Sequence, residues 1–260
     1  MIKLHYLLYI VFLIISNLSF NAGAQEIKTS NIFWKNPMEK ILCRNDLNGN
    51  LLVVKEHRAF IFNAQDSLIF YSNIGINADD VQPAWQGYIL TSDSIVYLTD
   101  EMFHRKKLFY TPSYPIHISV NSNMDIAYFT DKDTTLYVYS VKEQQIKSSY
   151  HLESAITHVC LIENLIFVSD QHNLYLLNDK RIKRLYHSEV PITSFALSDS
   201  DYIFIATQEE LLSLSAKGEL NSLATTNSIQ RLDYIQHTLF CTLKNQTVIQ
   251  IQFTPTLQTP

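Results

Sequence analysis

Seven residues in this 260-residue chain have side chains that could do chemistry if the fold gathered them: Asp79, Asp80, Trp85, His117, His158, Arg231 and Asp233. Carboxylates, imidazoles and a guanidinium placed together could move protons or hold a divalent metal, and an exposed indole could anchor a partner. Their spacing assigns none of these roles. The chain has no HxH or HExxH pair and no GxSxG elbow, and its five glycines leave no material for a phosphate-cradling loop. No catalytic residue, metal ligand or cofactor is therefore assigned, and ordinary hydrogen-bonded or solvated side chains remain the plain reading. Strand alternation would send some of them between sheets instead of toward a common centre.

The elements that must position these residues are strands. Pro191 to Leu223 shows one complete unit: Ile192 to Leu197, a polar turn at Ser198-Asp199-Ser200-Asp201, Tyr202 to Ala206, a turn, Glu210 to Ser215, the turn Ala216-Lys217-Gly218, and Glu219 to Leu223. Four short apolar runs bounded by turn residues predict a four-stranded antiparallel meander. The unit recurs. First-strand anchors fall at Met38, Ile76, Ile116, Ile156, Ile192 and Ile229, and second-strand anchors at Leu52, Ile89, Ala127, Ile166, Ile203 and Leu239. Third strands follow Tyr97, Tyr137, Tyr175, Leu212 and Ile249, and fourth strands Tyr71, Tyr110, Tyr150 and Tyr186. All four series step by 36 to 40 residues, a period that marks a propeller or solenoid.

The sixth unit stops after Thr247 to Ile251 without a fourth strand, while Asn31-Ile32-Phe33-Trp34 stands unassigned ahead of unit one. Closing the last sheet with an N-terminal strand removes exposed edges. The expectation is an all-β, six-bladed β-propeller of four-stranded antiparallel blades over about Lys28 to Thr254, with Pro255 to Pro260 as a tail. An open solenoid is the alternative, and seven blades follow if a unit near Asp100 to Lys107 or at the N-terminus is miscounted. Asp79, Asp80, His117, His158, Arg231 and Asp233 would then lie near the ends of innermost strands, at a channel mouth. Trp85 would lie beside that mouth too, in the link between the first two strands of unit two.

Composition agrees with a folded domain: 47% hydrophobic, 17% charged, with fifteen Tyr and fourteen Phe against seven Pro. A net charge of −5 gives no footprint for nucleic acid. Lys180-Arg181-Ile182-Lys183-Arg184 is the densest basic run and reads as a solvated turn and strand edge, with a docking surface as the sharper alternative. The recurring tyrosines read as blade packing with hydroxyls at the rim, with glycan stacking as the sharper alternative.

The N-terminus reads as an address. Lys3, the apolar run Leu7 to Ile15 and the small-x-small site Ala22-Gly23-Ala24 predict a signal peptide over residues 1–24 and a single propeller domain over 25–260. A retained membrane anchor is the alternative, but Ser16, Asn17 and Ser19 break the run before the ~20 residues of a spanning helix, and no Cys follows it for lipid attachment. The mature chain is expected in the periplasm or outside the cell, with no transmembrane span. Cys43, Cys160 and Cys241 are too few and too widely spaced for a disulfide framework, so buried free thiols are expected, with a Cys43 to Cys241 bridge as the alternative.

Leu197 to Thr207 (LSDSDYIFIAT) and Val120 to Thr130 (VNSNMDIAYFT) resemble the polar-turn-then-strand element of WD40-like and YVTN-type bacterial propellers. The Gly-His and Trp-Asp pairs of true WD40 blades are missing, as are sialidase and quinoprotein signatures, so the resemblance implies blade architecture and no chemistry. Two function classes remain. One is an exported, non-enzymatic binding scaffold that offers a propeller face to a protein or glycan; the other is a small hydrolase or lyase using the His, Asp and Arg residues named above.

Overall fold

The structure is a computed structural model and describes residues 24–30, 41–45, 48–63, 65, 67–85, 87–114, 116–178, 181–198, 202–225, 229–235, 237–244 and 248–253. All 24 elements among the described residues are strands. The N-terminal strand is β1 (Ala24–Ser30). Blade one is β2 (Ile41–Asn45), β3 (Leu51–Lys55), β4 (Arg58–Phe62) and β5 (Leu68–Asn73). Blade two is β6 (Asp80–Ala84), β7 (Gly87–Ser92), β8 (Ile95–Thr99) and β9 (Arg105–Tyr110), and blade three is β10 (Ile116–Val120), β11 (Asp125–Thr130), β12 (Thr135–Ser140) and β13 (Gln145–His151). Blade four is β14 (His158–Ile162), β15 (Leu165–Ser169), β16 (Asn173–Asn178) and β17 (Arg181–His187). Blade five is β18 (Ile192–Leu197), β19 (Tyr202–Thr207), β20 (Glu210–Ser215) and β21 (Leu220–Thr225), and blade six is β22 (Ile229–Ile235), β23 (Thr238–Leu243) and β24 (Val248–Phe253), joined by β1. Six four-stranded antiparallel sheets, five of them meanders and the sixth a three-stranded meander completed by β1, make this an all-β, six-bladed β-propeller fold.

The chain divides into two compact units, one with blades one to four and one with blades five and six plus β1. In the first, apolar clusters fill the space between successive blades: Leu90 and Tyr88 of β7 pack with Leu52 and Val54 of β3, Ile89 with Ile118 and Ile126, and Phe129 with Val168 and Leu161. In the second, Phe204 and Ala206 of β19 pack with Leu232 and Leu239. Each second strand is covered on both faces, so it reads as a near-continuous apolar run such as Gly87–Ser92 or Asp125–Thr130, buried at every position. Fourth strands have one covered face and an open edge and are exposed at most positions.

The last sheet is completed from the N-terminus, but by a different segment from the one expected. β1 runs antiparallel to β24, with Ser30 opposite Val248, Ile27 opposite Ile251 and Ala24 opposite Phe253. Asn31 to Trp34 lies outside the described residues. The expectation favoured the most apolar run available, whereas an edge strand needs only the polar and apolar alternation that Glu26-Ile27-Lys28-Thr29 carries. Two first-strand anchors also shift: Ile76 and Ile156 precede β6 and β14 instead of belonging to them. Both remain apolar plugs, Ile156 buried among blade three and four residues and Ile76 packed on the blade one and two cluster.

Cys241 carries a free, buried thiol, so the Cys43 to Cys241 bridge is not formed; Cys160 is half-buried, and the Cys43 side chain lies outside the described residues. Among the described residues no helix is long and apolar enough to cross a membrane.

Candidate functional site

Asp80 opens β6 and is almost fully buried at 3% exposure. Its own N–H donates to the Thr91 hydroxyl at 2.9 Å, its Oδ1 accepts from the Val81 N–H at 2.8 Å, and its Oδ2 accepts from the Ile118 N–H of blade three at 3.2 Å. Thr91 in turn donates its hydroxyl to the Ile116 carbonyl at 3.0 Å. A carboxylate taken out of water must find donors. Here backbone amides of two blades supply them, and Asp80 ties blade two to blade three. Asp79, half-buried beside it, accepts from the Asp93 N–H at 3.3 Å.

His117 is the second residue of β10 and stacks on Phe129, the residue opposite in register, at 4.9 Å between ring centroids. Its Nε2 lies 3.9 Å from Asp131. His158 opens β14 opposite Ser169 and is half-buried. The bonds from Ser119 to Leu161 and from Asn121 to Glu163 advance together along β10 and β14, which therefore run in the same direction, and Asp80 of β6 meets Ile118, next to His117. Asp79, Asp80, His117 and His158 therefore share one end of three successive blades. Trp85 does not join them: it follows the last residue of β6, at the opposite end, and is 68% exposed.

Arg231 and Asp233 belong to the other unit. Two apart on β22, they share a face of the strand, and the Arg231 Nε reaches both Asp233 oxygens at 3.2 and 3.1 Å. The pair is mostly shielded from water. Behind it, burial together with the nearby Asp233 charge pushes the Cys241 thiol up to about 12.

Sequence reasoning missed two features and caught a third only through its Lys180 to Arg184 run. Ser119 and Ser194 do what Asp80 does: the Ser119 hydroxyl accepts from the Leu161 N–H at 2.9 Å and the Ser194 hydroxyl from the Leu232 N–H at 3.0 Å, each joining one first strand to the next. Aligning the repeats at Asp80, Ser119 and Ser194 would have shown a short polar residue recurring on the first strand. Second, Ile162 and Leu165 flank the β14–β15 turn and are exposed, at the same end of the blades as Trp85. The Asn121 side-chain amide donates to the Glu163 carbonyl at 2.6 Å and so fixes the blade three turn against the blade four turn. Third, β9, β13 and β17 hold seven Lys and Arg and no Asp or Glu. Among the described residues no three His, Cys, Asp or Glu side chains form a group able to hold a metal.

No protein-family model matches the sequence, and no curated protein does. Solved structures do. The chain is similar to virginiamycin B lyase from Staphylococcus aureus, with a TM-score of 0.64 at 8% identity over 88% of this chain and 99% of that one. A catalytically inactive form of that lyase with quinupristin gives 0.63 at 9% identity over 88% and 100%. A chain of a mitotic checkpoint complex gives 0.60 at 12% identity over 90% and 92%. At such identities the likeness shows the β-propeller fold alone.

Proposed function

We propose that this protein is an exported, non-enzymatic binding scaffold whose blade turns engage a protein or glycan partner. The observation that carries the reading is Trp85, the most exposed large apolar side chain among the described residues, held on a turn between two buried strands. Ile162 and Leu165 add apolar surface at the same end of the unit, and the Asn121 to Glu163 hydrogen bond holds the intervening turns in place. A large aromatic anchor on a rigid support is what a binding hot spot requires, for a protein surface or for the face of a sugar ring. Export is supported by the apolar run Leu7 to Ile15 and the Ala22-Gly23-Ala24 site.

A small hydrolase or lyase would need His117, His158 and Asp79 or Asp80 to act on one reacting group. Asp80 is already engaged by two backbone amides and Asp79 by a third, which favours the binding reading. The test places a photo-reactive residue at position 85, with position 217 as a control, in the intact exported protein. A covalent adduct from position 85 alone, together with a loss of about tenfold or more in partner affinity for Trp85→Ala, supports the scaffold. Equal labelling from both positions overturns it, and N-terminal sequencing that finds Met1 retained overturns export.

A further inference from the structure

The outer strands of blades two, three and four differ in charge from the rest of the molecule. β9 carries Arg105, Lys106 and Lys107, β13 carries Lys147, and β17 carries Arg181, Lys183 and Arg184, every one of them exposed. Seven of the chain's 20 Lys and Arg thus stand on three strands that hold none of its 25 Asp and Glu. The equivalent strands β5 and β21, Leu68–Asn73 and Leu220–Thr225, have no charged residue at all. Edge strands commonly carry a lysine to discourage pairing with other chains. If that were the whole reason, β5 and β21 would need it equally.

We propose that this cationic rim binds a linear acidic polysaccharide that runs across the outer edges of blades two to four. Shape selects the occupant. First strands pack against each other from blade to blade, whereas β9, β13 and β17 share no comparable packing and form three separate edges. A peptide added as a strand would line only one of them. A flexible polymer with an acidic group on each sugar reaches all three. Tyr110 at the end of β9 is 66% exposed, with the Lys107 ammonium 4.4 Å from its ring centre and hydrogen-bonded to its hydroxyl. An exposed ring beside an ammonium suits a uronic acid, whose ring stacks while its carboxylate meets the cation. Arg105 is set over the Tyr97 ring, Lys107 is engaged with Tyr110 and Lys147 is paired with Asp125 at 3.0 Å, so the cations that recruit the polymer are chiefly Lys106 and the three of β17, with β13 as the surface it crosses between them.

The test uses the intact protein with alginate oligomers, matched poly-L-glutamate and vesicles containing phosphatidylglycerol. Alginate is expected to bind the wild-type protein at low salt and to be released by about 0.5 M NaCl, where exposed charges are screened within a few ångströms. The triple variant Arg181→Gln/Lys183→Gln/Arg184→Gln is expected to weaken binding about tenfold, from three small exposed contributions, at unchanged melting temperature. Lys217→Gln and Trp85→Ala are expected to bind alginate as the wild type does, which separates this surface from the turn face. Salt-insensitive binding, an unaffected triple variant, or poly-L-glutamate or vesicles binding as tightly as alginate would each overturn the proposal.

Discussion

Strands β7 and β9 belong to one blade and sit two positions apart in it, yet they carry opposite burdens. β7 is covered on both faces and buried at all six positions, whereas β9 is exposed at four of six and ends in an open edge. The difference teaches where this fold keeps its stability and where it is free to vary. A second strand is fixed by two neighbouring strands and two neighbouring blades; a fourth strand answers to one strand and one face, so its charge can follow function. That is why the second-strand anchors are uniformly apolar while the fourth strands range from uncharged to strongly basic.

The contrast breaks most severely at Gly87, the first residue of β7, which has φ +149° and would place an added Cβ 2.0 Å from the Thr99 carbonyl oxygen. Gly87→Ala is expected to cost about 4 kcal/mol or to prevent folding, read by chemical denaturation. Leu90→Ala in the middle of β7, where the side chain is completely buried, should cost about 3 kcal/mol. Ile182→Ser on exposed β17 should stay within about 0.5 kcal/mol, and equal losses at the two sites would erase the distinction. Asp80→Ala leaves the Ile118 and Val81 N–H groups without their carboxylate and should cost about 2 kcal/mol. A further effect is expected from alkali. Burial and the neighbouring Tyr137 hold the Tyr128 phenol up at about 12, and burial and Asp170 hold Tyr175 there as well. Both phenols stay neutral in the fold after the unfolded chain would release its protons near 10. Their stabilisation is therefore fully present below pH 10 and fades as pH rises toward 12. Phenolate absorbance during denaturation at pH 9 and pH 11 checks the sign; a protein more stable at pH 11 would contradict it.

The repeat was legible because burial on both faces forces the second strands into apolar runs at a fixed period, and Leu52, Ile89, Ala127, Ile166, Ile203 and Leu239 all lie on second strands in the fold. First strands were harder to place. They mix plugs such as Ile76 and Ile156, which fill space ahead of the strand, with polar residues that bond across blades. The N-terminal partner of β24 was foreseen as a role and misplaced as a segment, since an edge strand asks little of hydrophobicity. Trp85 was legible as a link residue, because it interrupts the repeat between two strand signals. The exposure of Ile162 and Leu165 was not, because an apolar residue beside a tight turn reads the same whether its far side is covered or open. Asp80, His117 and His158 lie at or next to strand starts in the fold, and Asp80 joins two blades, a use that only three-dimensional contacts reveal.

Native-state hydrogen exchange resolved by strand tests most directly whether stability resides in the inner strands and the rim is left open. The account predicts that amides of β7, β11 and β19 exchange only through global unfolding, while outward amides of β9, β13 and β17 exchange orders of magnitude faster. Uniform protection across second and fourth strands, or faster exchange in β7 than in β9, would contradict it.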